Sequence, residues 1–300
     1  MGVITCLALT NNCSIEKHNI SIIYKSRKVS SSPSSTKEFD TLSRTGLTDT
    51  ILIIASGFAV LLISVLLIAI GIEYPVTIIL SIITPLAAVI IGVIGLRIYA
   101  DRFEARNDRL NVLTLWLSMG LIMFSLAEIT GTLAKLTQTT QQMILTMIMI
   151  QIPGILLWGL GIIQYLSSLN EAIKISDSGR LWSVLVTIAG VSSIGLILVI
   201  AFQFPDTYLL ERIILSPIII GLFLFSFITL GLVWIFRDGL LSKPLLFIFM
   251  AFSLLAIRII SWAITEFQVN TPLDSLMAIE VYVFCGAALL LSRDLDELYG

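Results

Sequence analysis

From Thr50 onward the chain alternates long apolar runs with short polar breaks. Each run holds about 20 residues or more, the length an α-helix needs to cross about 30 Å of hydrocarbon. The pattern predicts eight spans: Thr50–Ile70, Val76–Tyr99, Val112–Ala134, Met143–Leu166, Leu181–Phe202, Leu209–Phe236, Leu245–Phe267 and Leu273–Ser292. The sixth run is longer than a span needs, so it is expected to tilt or to enter the interface with Glu211 and Arg212. The predicted fold class is an all-α polytopic membrane protein of eight transmembrane helices, built as four helical hairpins.

Composition strengthens this reading. Of 300 residues, 57% are hydrophobic and 13% charged, and the mean hydropathy is +1.01. A soluble domain of this length carries far more surface charge. The formal charge of −2 says little, but the positions of the basic residues set an orientation. Arg97, Arg102, Arg106 and Arg109 follow span two, Lys174 and Arg180 follow span four, and Arg237 and Lys243 follow span six. Arg293 follows span eight, while the alternate loops are nearly bare of Lys and Arg. This bias places both termini in the cytoplasm. Short loops suit a prokaryotic cell membrane.

Residues 1–48 differ from the rest. They hold Lys17, Lys25, Arg27, Lys28, Lys37 and Arg44, and a serine-rich run from Ser30 to Ser35. They read as a flexible basic cytoplasmic tail, with residues 49–300 as the transmembrane domain. A second reading holds the tail against an anionic leaflet. Val3–Leu9 is too short and lacks the preceding basic region of a cleavable signal peptide, and Cys6 stands where a myristoylation motif has Ser or Thr. The sequons at Asn12 and Asn19 carry no meaning on a cytoplasmic tail. Cys6, Cys13 and Cys285 suggest no disulfide framework.

The two halves, 49–172 and 181–300, show weak internal similarity. Ile78-Ile79-Leu80-Ser81 recurs as Ile213-Ile214-Leu215-Ser216, each ahead of a proline (Pro85, Pro217). Ser56-Gly57 resembles Ala189-Gly190, and Leu166 to Glu171 resembles Leu291 to Glu297. Four spans per half make these parallel repeats about an axis along the membrane normal.

Chemistry is bounded first by what the spans lack. The single histidine, His18, lies in the tail. No bis-His haem, His-ligated metal, HExxH or GxSxG arrangement is available to the spans, and no phosphate-binding glycine loop opens a helix. No enzyme activity, cofactor, metal or nucleic-acid partner is expected.

What remains is a set of polar residues inside apolar runs. Span seven carries Arg258, with Trp262 and Glu266 at four-residue steps. Span three carries Glu128, span four Gln151 ahead of Pro153, and span eight Glu280. An unpaired charge near mid-bilayer costs at least about 2.5–3.5 kcal/mol. Arg258 therefore needs an acidic neighbour. If the halves are repeats, spans three and seven are equivalent, and Glu128 falls one residue from the position matching Arg258. The expected pair is Glu128 with Arg258, and Glu280 is the expected second partner, all in the outer half of the bilayer. Arginine suits such pairing because its planar fork binds a carboxylate at two points.

The pair reads either as a structural clasp or as a polar cavity for a small solute or ion, lined by Glu128, Gln151, Arg258, Trp262 and Glu280. Pro85, Pro153 and Pro217 are expected to kink spans two, four and six. Trp182, Trp234 and Tyr99 read as interfacial anchors. The charged loop from Asp101 to Arg109 is expected to be a short solvated or interfacial helix, with docking of a cytoplasmic protein as the second reading. Two functions follow: a permease-like protein binding a small solute or ion, or a non-enzymatic sensor or membrane-complex subunit that signals to a partner in trans.

Overall fold

A backbone inside hydrocarbon must satisfy its own hydrogen bonds, and a single continuous segment does so only as a helix. The computed structural model describes residues 33–101, 109–136, 141–173, 179–203, 209–237, 239–264 and 271–299. Among them lie eight α-helices: α1 Pro33–Ala69, α2 Glu73–Asp101, α3 Arg109–Leu136, α4 Gln141–Ile173, α5 Gly179–Gln203, α6 Leu209–Ile235, α7 Ser242–Ile264 and α8 Pro272–Tyr299. Seven are long and apolar enough to span a membrane. In α5 the described apolar stretch, Val184–Leu198, is shorter than a span. The protein is thus an all-helical, membrane-embedded, multi-pass chain. Residues 1–32 and the charged loop at 102–108 lie outside the described residues. The helix α1 begins at Pro33, inside the segment expected to be a flexible tail. Proline suits a first helical position because its missing N–H would be unpaired there anyway.

Small residues set the spacing of the helices. The helices α2 and α3 run antiparallel with Gly92 and Gly95 against Ser118 and Leu121, and a Cβ on Gly95 would overlap the Ser118 hydroxyl. In the α3–α4 pair Gly120 meets Gly154, and Trp158 Nε1 donates to the Leu117 carbonyl at 3.0 Å. Close backbone approach of this kind replaces the hydrophobic drive that lipid cannot supply between helices. The helices α2, α4 and α6 run on through Pro85, Pro153 and Pro217.

The central helix is α8, with 83% of its span window buried against 11% for α1. It runs parallel to α2, where Gly286 and Leu289 meet Ile91 and Gly95, and antiparallel to α1, where Val283 meets Gly57. Further along, Asp49 of α1 and Arg293 of α8 form an ion pair at 3.3 Å. The helix α6 reaches α4 through Phe225, which fills the space left by Gly159. The core is layered around aromatic rings. Trp158 lies 4.8 Å from Phe124 and 5.5 Å from Phe252, and Phe225 lies 5.8 Å from Phe252, centroid to centroid. Trp234 stands exposed with the Arg237 guanidinium 5.3 Å over its ring, and Trp182 packs against Gly231.

Candidate functional site

The helix α7 carries Arg258 six residues before Ile264, about 9 Å from its described end. Two other helices bring acids to it. Glu128 comes from α3, and Asp274 is the third residue of α8. The local sequence explains why α8 starts where it does. Thr271 precedes Pro272, and the Thr271 hydroxyl accepts the Asp274 amide N–H at 3.2 Å. That is an N-cap with proline at the first helical position. It places Asp274 one turn into the helix, facing α7.

The guanidinium is held on two edges. Nε donates to Asp274 Oδ1 at 2.7 Å and Nη2 donates to Oδ2 at 3.1 Å. Nη1 donates to Glu128 Oε1 at 2.5 Å and Nη2 to Oε2 at 3.1 Å. Four of the five guanidinium N–H groups are thereby committed to carboxylate. The flat face is covered by Trp262, whose ring centre lies 4.8 Å away. The indole of Trp262 donates to Asp274 Oδ1 at 2.5 Å, and the Tyr282 hydroxyl donates to Glu128 Oε1 at 2.9 Å. Arg258, Glu128, Asp274, Trp262 and Tyr282 are all buried. One turn beyond Glu128, the Thr132 hydroxyl lies 2.8 Å from the Ser81 carbonyl and ties α2 to α3.

With both acids ionised the cluster carries a formal charge of −1. One oxygen of each carboxylate also binds a neutral donor: Glu128 Oε1 the Tyr282 hydroxyl, and Asp274 Oδ1 the Trp262 indole. The bonds join α3, α7 and α8 at one point. Among the described residues no group of three or more His, Cys, Asp or Glu comes together as metal ligands.

The expected residues are distributed unevenly around this centre. Glu128, Arg258 and Trp262 meet as the spacing suggested. Glu280 does not join them, and Asp274 is the second partner. The reason is helical phase: Glu280 lies six residues beyond Asp274, turned about 120° around α8. It faces Gly57 of α1 instead. Gln151 is buried on α4, at a level near Phe124 by the Gly120–Gly154 register, and neither amide atom has a hydrogen-bond partner among the described residues. Glu266 lies outside the described residues.

No protein-family model matches the chain, and neither does any curated protein or solved structure.

The cluster is closed. A groove of about 240 Å³ at Ser81, Pro85, Ile129 and Thr132 opens beside it, but its lining is apolar and its rim, Ile82, Leu86 and Leu133, is exposed on the outside of the bundle. On the side away from the α7–α8 loop, the aromatic layer of Phe124, Trp158 and Phe252 lies across the bundle.

Proposed function

We propose that the protein is a non-enzymatic sensor or subunit of a membrane complex, in which Glu128, Arg258 and Asp274 clasp α3, α7 and α8 together. One observation carries this reading: the arginine is buried, with four of its five N–H groups held by carboxylates. A permease needs groups free to grip a solute and a wet route to them. Here four guanidinium donors are spent on protein carboxylates, and the rings of Phe124, Trp158 and Phe252 pack against one another beneath. A partner in trans would read the state of the bundle through the loop at 102–108 or the basic N-terminal segment.

A second reading rests on Gln151. A buried amide with no partner costs about 1–3 kcal/mol, and it lies two residues from Pro153. That favours a permease-like site for a small solute or ion, lined by Gln151 and, on opening, by Glu128, Arg258, Trp262 and Glu280. Cysteine accessibility separates the two. With Ser125→Cys or Gln151→Cys in sealed vesicles, a membrane-impermeant thiol reagent added from either side is expected to leave both positions unmodified. Modification from one side overturns the clasp and favours the permease.

The same proposal includes eight spans in a prokaryotic cell membrane, with both termini in the cytoplasm, on the strength of the basic loops after α2, α4 and α6. It also includes two parallel repeats, 49–172 and 181–300. The neighbour pattern follows the repeats in part: α5 packs along α6, whereas the equivalent α1 meets α8. The pair α2–α8 corresponds to α6–α4, and α1 and α5 each place exposed aliphatic side chains outside the bundle.

A further inference from the structure

Glu280 sits eight residues into α8, about 12 Å from its start, within hydrocarbon depth. It is half-buried, and its Oε1 is enclosed with no hydrogen-bond partner among the described residues. Its Oε2 looks at Gly57 of α1. A Cβ there would lie 3.3 Å from this oxygen and 2.8 Å from Val283 Cγ2, so glycine leaves the carboxyl its room.

Among the described residues no counter-charge is paired with Glu280. The carboxyl is flanked by an apolar cluster of Leu276, Ile279 and Val283 of α8, Val76 and Leu80 of α2, and Ile53 of α1. The stretch Thr50–Ala69 of α1 has no titratable residue, and neither does Pro75–Leu96 of α2. On α8, Asp274 is bound to Arg258, the Tyr282 hydroxyl is bound to Glu128, and Cys285 is buried in the main core. An ionised carboxylate without a partner is strongly disfavoured at this depth, whereas the neutral acid is tolerated.

We propose that Glu280 is a proton-binding site within the bilayer, a carboxylic acid at the α1–α8 seam that is reached from the lipid side. It acts apart from the clasp, whose carboxylates are both bound to Arg258. The proposal also stands apart from the sensor reading, because it needs only the seam. Its consequence falls on α1, the least buried span. With the proton bound, α1 rests on α8 through the apolar cluster and the Asp49–Arg293 pair. Loss of the proton places a charge in that seam and loosens it.

The test is carbodiimide modification of the full chain in membranes. Dicyclohexylcarbodiimide is apolar and reacts with protonated carboxyls. The acid O–H adds across one C=N bond, and acyl migration to nitrogen gives a stable N-acylurea, with no atom lost. Peptide mass mapping is expected to find the adduct on Glu280 and not on Glu128 or Asp274. The rate is expected to fall by up to about tenfold per pH unit once the group ionises, in a series from about pH 6 to about pH 9. Glu280→Gln should abolish the adduct. A water-soluble carbodiimide should leave Glu280 unmodified. No adduct at any pH, a rate independent of pH, or equal labelling by the water-soluble reagent would each overturn the proposal. The wild-type series decides the matter even if the variant fails to accumulate.

Discussion

Replacing Arg258 with leucine removes four hydrogen bonds to carboxylate and leaves two acids facing a dry gap. A hydrogen bond to a charged group contributes about 1.5–3 kcal/mol, so simple addition gives about 6–12 kcal/mol. That overshoots, because a stranded carboxylate takes up a proton instead of staying charged. Breaking a buried pair by removing one partner costs about 3–5 kcal/mol, which is the loss expected for Arg258→Leu. Glu128→Leu is milder, about 1–3 kcal/mol after relaxation, although it loses two bonds from Arg258 and one from Tyr282, because Asp274 still grips the guanidinium at two points and the charges then balance. In the double variant Glu128 is no longer stranded, so the loss should fall short of the sum by about 2 kcal/mol. Polar contacts between membrane helices average about 0.6 kcal/mol and reach about 1.7, so this coupling would exceed the usual range. The assay is unfolding by SDS in mixed micelles, followed by tryptophan fluorescence, with Trp262 and Trp158 as buried reporters. Additive losses within about 0.5 kcal/mol, or an Arg258→Leu variant within about 1 kcal/mol of wild type, would refute the reasoning.

The remaining predictions use the same unfolding assay. Gly120→Ala puts a Cβ 2.2 Å from the Trp158 ring and 2.9 Å from the Gly154 carbonyl, so a loss of about 1–3 kcal/mol is expected. Gly190→Ala meets nothing within 4 Å and should be neutral or stabilising by up to about 1 kcal/mol; equal losses at the two positions would contradict the packing described. Gln151→Leu should leave stability unchanged or raise it, because neither amide atom is bonded. A clear loss there would mean that Gln151 has a bound partner, and would favour the permease reading. Trp158→Phe removes the bond to the Leu117 carbonyl and should cost about 1–2 kcal/mol; an unchanged midpoint would count against that contact.

Apolar run length made most of the helices legible, because a bilayer demands a fixed number of hydrophobic residues per crossing. It could not show that α1 extends back to Pro33, since a polar helix leaves no such signature. The Glu128–Arg258 pair was expected because an unpaired arginine within an apolar span needs an acidic neighbour. Asp274 was not, because it lies at the polar edge of the last apolar run, where an acid needs no buried partner. Its signal was nonetheless present: Thr271 and Pro272 ahead of Asp274 mark a helix start, which places that acid one turn inside α8. Phase would then have sorted the rest. Tyr282, eight residues on, returns to within about 80° of Asp274, whereas Glu280 turns about 120° away. Which helices are neighbours was not readable, because apolar faces carry little information about their partners.

The central claim is that Arg258 is sealed between Glu128 and Asp274, and guanidinium hydrogen exchange measures it most directly. In protein labelled with nitrogen-15 arginine and transferred to deuterated buffer, the Arg258 N–H signals should persist long after those of exposed Arg97 have vanished. Exchange of Arg258 as fast as Arg97 would mean that water reaches the cluster, and the clasp would give way to an open polar cavity.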